Sequence, residues 1–192
     1  MLVYRVFGYD PAAAIGGSGH PTYIFPRQTT GRWDNYDQYK IVYVAASPEG
    51  AIAEMFARIP EWSDSMFDVG YLPGGRFALA TFSVPDGISL RDLDDANTLV
   101  EMSLRPTQVV IQNPSYTQGL ALSIFRERRN DGSKRWAGIR WWSAWKAQWP
   151  VMAIWIEPGE PFPLRLQSVE PLDVAHIAVV DAASSLVRQF VS

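Results

Sequence analysis

The stretch from Lys40 to Ile59 constrains the fold of this chain more than any other. In Lys40–Ala46, Ile41, Tyr43 and Ala45 alternate with Val42 and Val44, the period-two pattern of a strand built from β-favouring residues. It runs straight into Ser47-Pro48, a side chain suited to cap a helix followed by a proline at the first helical position. Ile52, Met55, Phe56 and Ile59 then recur at i, i+3, i+4 and i+7 and predict one apolar stripe, with Pro60 and Glu61 ending the helix. A strand that turns directly into a one-sided helix needs a sheet for the strand and a packed layer for the stripe.

The remaining segments supply both. Leu2–Phe7 reads as a first strand, and further strands are predicted at Phe77–Val84, Val109–Gln112, Gly138–Trp142, Val151–Ile156 and Leu164–Val169. A second helix is predicted over Gln118–Arg129 with Leu120, Ile124 and Phe125 inward, and the tail as a strand near Ile177–Val180 followed by a short final helix. Residues 10–31, containing Gly16-Gly17-Ser18-Gly19, form a long irregular stretch of the kind that is usually functional or mobile. The Pro/Gly clusters at 16–26, 70–75, 113–119 and 157–163 read as loops inside one domain. The expectation is a single α+β domain over residues 1–192, with mixed or antiparallel β-sheets and flanking helices.

Composition narrows the chemistry. The absence of cysteine removes disulfides, thiolate nucleophiles and thiolate zinc sites, and two histidines (His20, His176) argue against a His-rich metal site. A net charge of −3 gives no electrostatic footprint for nucleic acid. No apolar run approaches a membrane span, and the start MLVYRVFGYD lacks the features of a secretory signal, so a cytoplasmic protein is the default expectation. The expected ligand is a small molecule or a protein. Of eight tryptophans, Trp136, Trp141, Trp142 and Trp145 crowd together; such a group can stack on planar rings, but core packing is the reading the pattern favours.

Five residues stand out as candidates. Glu54 lies about 200° around the helix from Ile52, opposite the apolar stripe, with Gly50, Ala53 and Ala57 as small neighbours that would leave room for an approaching group. The pattern alone favours a solvated surface glutamate. Arg32, in Thr30-Gly31-Arg32-Trp33, carries a planar fork that matches phosphate oxygens. Tyr43 on the second strand reads first as core. Ser143 closes Gly138-Ile139-Arg140-Trp141-Trp142-Ser143 without a Gly-x-Ser-x-Gly elbow, so a hydrolytic serine is a weak reading. Arg5 sits on the first strand. The loop at Gly16–Gly19 offers backbone amides but lacks the strand–helix frame of a dinucleotide fingerprint. The acidic run Asp92-x-Asp94-Asp95 reads as a solvated loop or helix start before it reads as a cation site.

Taken together, Gly31-Arg32-Trp33, Ile41-Val42-Tyr43-Val44-Ala45, Ser47-Pro48-x-x-Ala51-x-Ala53-Glu54 and Gly138-Ile139-x-x-x-Ser143 resemble the signature of the RES-domain family. That family is named for an arginine, a glutamate and a serine, matched here by Arg32, Glu54 and Ser143. Tyr4-Arg5-Val6 also looks like its first strand, and the resemblance runs from about residue 2 to about 156. Two features depart from it. Asp34-Asn35 stands where the family commonly has asparagine directly after Gly-Arg-Trp, and Trp141-Trp142 stands where smaller residues are usual.

The resemblance implies an ADP-ribosyltransferase-like fold and the toxin of a bacterial toxin–antitoxin pair. Its expected chemistry is cleavage of the nicotinamide–ribose bond of NAD⁺, by hydrolysis or phosphorolysis. In that reading Glu54, Arg32, Tyr43 and Ser143 are catalytic, and Arg32, Tyr43 and Arg5 contact the substrate. NAD⁺ is substrate rather than resident cofactor, and no metal is implied. The implied partner is a cognate antitoxin, with homo-oligomers open and neither nucleic acid nor membrane bound directly. Two alternatives stay open: mono-ADP-ribosylation of a protein target, and a non-catalytic RES-like binding module.

Overall fold

The computed structural model describes residues 1–111 and 113–191. Strands are hydrogen-bonded in the orders β5-β6-β7 and β2-β1-β4-β8, and a small parallel pair joins β3 to β9. By its internal contacts the chain forms two compact units. The first comprises residues 1–23, 44–84 and 164–192, the second residues 24–43 and 85–163. The α+β class with a mixed sheet is as the sequence predicts. Among the described residues no helix is long and apolar enough to cross a membrane.

In the first unit, β1 (Leu2–Tyr9) pairs antiparallel with β4 (Arg76–Ser83) along its whole length, and β4 pairs antiparallel with β8 (Arg165–Pro171). Val3, Ala78, Ala80 and Phe82 are fully buried, which is what alternation on an antiparallel sheet supplies. The predicted strand–helix junction is present. β2 (Lys40–Ala45) ends in this unit, where Ala45 faces Tyr4 of β1. Helix α1 (Pro48–Phe56) follows, with the Ser47 hydroxyl accepting the Gly50 N–H at 3.2 Å.

The apolar stripe on α1 differs from the prediction. Ile52 and Phe56 are buried, but Met55 is 44 % exposed and Ile59 lies beyond the helix end. The buried face is completed by Gly50, Ala51, Ala53 and Ala57 instead, and α1 packs on α5 (Ile177–Leu186) and β1. Small side chains let the helix backbone approach its neighbours closely, so the packed face is centred on alanines rather than on the bulkiest residues. Gly50, Ala53 and Ala57, the small neighbours of Glu54, thus belong to the packed face, while Glu54 itself is exposed.

The tail also differs. Ile177–Val180, predicted as a strand, is the first turn of α5, and a short strand β9 (Gln189–Phe190) follows rather than precedes the helix. The β-branched run suggested a strand. The buried set Ala178, Val179, Ala182 and Ala183 has helical spacing, and the His176 ring accepts the Ala178 N–H at 3.2 Å as the cap. Beside β9 runs β3 (Glu61–Trp62), which the sequence did not announce.

In the second unit, β6 (Gly138–Trp142) pairs antiparallel with β7 (Pro150–Ile156) and parallel with the short β5 (Leu90–Asp92). Of the predicted strand at Val109–Gln112, Gln112 lies outside the described residues. Val109 and Val110 belong to a helix, α3 (Pro106–Val110). Pro106 sets the first helical position, and the Gln108 side chain accepts the Arg105 N–H at 2.7 Å, which outweighs the β-branched pair. Helix α4 spans Pro114–Phe125, earlier than predicted, because Asn113 caps it and Pro114 starts it. Ile124 and Phe125 point inward as expected, while Ala121 rather than Leu120 is the fully buried partner. The acidic run is a helix start. Asp95 caps α2 (Ala96–Glu101) by accepting the Thr98 N–H at 2.9 Å, and Asp92 binds Arg140 of β6 at 2.6 Å.

Candidate functional site

In the second unit, Arg32 sits in a turn that local chemistry fixes from several sides. Gly31 and Asp34 close the turn on each other. The Asp34 N–H donates to the Gly31 carbonyl at 3.2 Å, and the Gly31 N–H donates to Asp34 Oδ2 at 2.6 Å. The Tyr43 hydroxyl, arriving from β2, donates to Asp34 Oδ1 at 2.8 Å and accepts the Trp33 N–H at 3.1 Å. Asp34 is only 5 % exposed, so its carboxylate is an interior acceptor shared by two donors. Gly31 is required here, because a Cβ would land on Asp34 and within 2.6 Å of the Tyr43 oxygen. A second tier holds the same turn. Tyr39 donates to the Trp33 carbonyl at 2.9 Å, and Gln118 of α4 donates to the Gly31 carbonyl at 2.9 Å. Asn35 bridges the Tyr39 hydroxyl at 2.8 Å and the Gln118 carbonyl at 3.0 Å.

The Arg32 guanidinium is anchored by its surroundings. One Nη donates to the Val109 carbonyl, and the charged plane lies over Trp33 at 5.4 Å and Trp141 at 6.0 Å. Trp33 and Trp141 pack at 5.2 Å, and Tyr43 meets Trp141 edge-on at 6.5 Å. Cation–π contact and a carbonyl acceptor orient a guanidinium that would otherwise lose rotamer freedom on binding an anion. Burial, then the adjacent Asp34 charge and hydrogen bond, push the Tyr43 phenol well above 10. It therefore stays protonated near neutrality, with its proton directed at Asp34.

Trp141 and Trp142 stand side by side because a strand sends neighbours to opposite faces. Trp141 is buried against Trp33 and Tyr43, and Trp142 is half-buried. Ser143, at the end of β6, is 2 % exposed. Its Oγ accepts the Trp145 N–H at 3.1 Å and its own N–H donates to the Trp149 carbonyl at 2.8 Å. That geometry fixes the turn after β6.

Glu54 and Arg5 belong to the first unit. Glu54 is exposed on α1, as its place on the helical wheel predicts. Arg5, half-buried on β1, donates to the Pro21 carbonyl at 3.1 Å and so ties the 10–31 stretch to the sheet. Burial lowers its guanidinium to about 10, still charged at neutral pH. The Gly16–Gly19 segment is a chain of turns in which the Gly17 and His20 N–H groups bond to the Ala14 and Gly17 carbonyls.

Two further features complete the inventory. Among the described residues no group of three or more His, Asp or Glu side chains is placed to hold a metal ion. A half-open cavity of about 280 Å³ in the second unit has Phe125, Trp136, Ile154 and Trp155 in its walls, with Lys134 paired to Glu157 at 2.9 Å and to Glu160 at 2.7 Å. None of Arg32, Tyr43 and Ser143 lines it.

The structure thus gathers Arg32 and Tyr43 around Trp141 and adds a residue that sequence reasoning did not assign, Asp34. Its signal was available in the spacing, since an aspartate three residues after a glycine can fold back onto that glycine's N–H.

Comparison with known proteins bears on the family and the fold. The profile of the RES domain matches residues 2–173. No curated protein matches the chain by sequence. A chain of the M. tuberculosis MbcT–MbcA toxin–antitoxin complex has a similar fold, with a TM-score of 0.62 over 95 % of this chain and 88 % of that one, at 16 % identity.

Proposed function

The chain belongs to the RES-domain family, and on that premise we propose that it is a toxin that cleaves the nicotinamide–ribose bond of NAD⁺ and is neutralised by a cognate antitoxin. The observation that carries the reading is the Arg32 anchorage: a guanidinium oriented by the Val109 carbonyl and two indoles, at the arginine that the sequence resemblance matches to the family's. The fold shared with a chain of a toxin–antitoxin complex supports the partner class.

In this reading the C1′–N bond breaks heterolytically and its electron pair leaves with nicotinamide, whose ring nitrogen becomes neutral, so the leaving group needs no proton. Positive charge grows on the ribose ring as an oxocarbenium ion. The Glu54 carboxylate stabilises that charge and orients the ribose hydroxyls. Arg32 binds a phosphate of the pyrophosphate or the ribose hydroxyls. Water or phosphate then forms the new C1′–O bond, a water nucleophile releasing one proton to solvent.

Tyr43 contributes a ring and a fixed frame for Arg32 rather than a proton, since its hydroxyl is held by Asp34. Ser143 supports the end of β6, and Arg5 offers a second cation.

The test is nicotinamide release from NAD⁺ by purified protein, with and without phosphate, alongside Glu54→Ala. Release that depends on Glu54 is expected, with the phosphate dependence choosing hydrolysis or phosphorolysis. Loss of activity should come with a stability change within about 0.5 kcal/mol, as for an exposed substitution. Wild-type protein that releases no nicotinamide under either condition overturns the reading, and protein labelling by NAD⁺ in a lysate would replace it with transfer to a protein target.

A further inference from the structure

Helix α1 carries Glu54 and is closed locally by backbone bonds alone, Ala57 N–H to the Ala53 carbonyl at 3.0 Å and Ile59 N–H to the Phe56 carbonyl at 2.9 Å. No basic residue lies in its last turn, and its C-terminal carbonyls are the negative end of the helix dipole. The partner comes from 131 residues further along: Arg188 donates from Nη2 to the Ala57 carbonyl at 2.7 Å. Arg188 is set in place by a compact turn. Val187 adopts the left-handed conformation (φ 53°) although it is β-branched and 85 % exposed, a position that costs backbone energy. The Arg188 N–H then donates to the Ala183 carbonyl of α5 at 2.8 Å.

The chain continues into β9, parallel to β3, with the Val191 N–H bonded to the Trp62 carbonyl at 2.8 Å. Phe190 packs its ring 6.3 Å from that of Trp62, which is wholly buried and bonds the Ile59 carbonyl through its indole N–H at 3.1 Å. The tail therefore grips the end of α1 in three ways: at Ala57, through Ile59 by way of Trp62, and along the α5 face. All of these tail residues lie beyond residue 173, where the match to the RES family ends.

We propose that the segment Val187–Val191 is a clamp on α1, with Arg188 as a positioning residue for Glu54. Its catalytic consequence rests on the reading of Glu54 given above; the clamp itself does not. Arg188 has no contact with substrate in this scheme. It acts by holding the register and end of the helix on which Glu54 is carried.

The test uses the full chain with Arg188→Ala, Arg188→Lys and Phe190→Ala, read by amide hydrogen exchange resolved to α1 and by the kinetics of nicotinamide release. Removing a hydrogen bond from a charged donor should accelerate exchange in the last turn of α1 about tenfold. The rest of the first unit should keep wild-type protection, and Arg188→Lys should restore most of the loss. In kinetics, Arg188→Ala should lower kcat with KM for NAD⁺ unchanged, because only transition-state stabilisation is affected.

Unchanged α1 exchange in Arg188→Ala, or acceleration spread evenly over the chain, overturns the clamp. Should Arg188→Ala not fold, Phe190→Ala leaves the guanidinium in place and is expected to accelerate the same amides by a smaller factor; α1 protection unchanged there also overturns it. If wild-type protein releases no nicotinamide, the NAD⁺ reading fails while the exchange result still decides the clamp.

Discussion

Replacing Asp34 by asparagine tests the architecture around Arg32 with the least change in volume. The carboxylate accepts from the Gly31 N–H at 2.6 Å and from the Tyr43 hydroxyl at 2.8 Å, one donor per oxygen, at 5 % exposure. A carboxamide has only one oxygen and turns an NH₂ toward the other donor. One bond to a charged acceptor is lost, worth about 1.5–3 kcal/mol, and the other becomes neutral, weakening by about 1 kcal/mol. The expected destabilisation is about 3 kcal/mol, or a fall in Tm of about 6–12 °C at about 2–4 °C per kcal/mol for a chain of this size. Urea unfolding of wild type, Asp34→Asn, Tyr43→Phe and the double variant reads both the cost and the coupling. The two sites share a bond, so the cycle should show about 1–2 kcal/mol of coupling. Asp34→Asn within about 0.5 kcal/mol of wild type, or additive single changes, would refute the idea that Asp34 builds the turn.

Other outcomes follow from the same geometry. Gly31→Ala should destabilise the protein and lower nicotinamide release together, because its Cβ displaces Asp34 and the Tyr43 hydroxyl; thermal unfolding and the release assay check this. Arg32→Lys keeps the charge but loses the planar fork over Trp33 and Trp141, so kcat/KM for NAD⁺ should fall at least about tenfold while the fold persists. Burial and Asp34 raise the Tyr43 phenol above its ordinary value of 10. Its proton is kept in the folded state and lost in the unfolded one, so stability is level below about pH 10 and falls as pH rises beyond it. Absorbance near 295 nm should show Tyr43 ionising only with alkaline unfolding; titration alongside the exposed tyrosines would contradict its enclosure.

Much of this fold is legible where local and tertiary preferences coincide. The junction at Ser47-Pro48 is readable because cap, proline and strand alternation all point the same way, and β6 falls where its pattern places it. Val109–Val110 and Ile177–Val180 misled for a common reason. Their β-branched side chains prefer strands, but a proline start in one and a string of alanines in the other gave helices that could be packed. The same alanine effect hid the true buried face of α1, since periodicity weights large residues and Ala53 and Ala57 are small. Arg32 and Glu54 are singled out by the family signature. Asp34 is not, because its role depends on a tyrosine brought back by the next strand, and the clamp at Arg188 depends on a carbonyl 131 residues away.

The weave of the first unit has a consequence for synthesis. Its strands come from three separate stretches, with β8 pairing to β4 and α5 packing on α1. A nascent chain that has reached only β4 therefore exposes the β4 edge of its sheet and the alanine face of α1 for as long as about a hundred further residues take to emerge. At about 5–20 residues per second that is a delay of several seconds. Such an interval leaves the helix bearing Glu54 without its α5 cover until residues 177–186 have emerged, so the first unit is completed only after the whole of the second has been made.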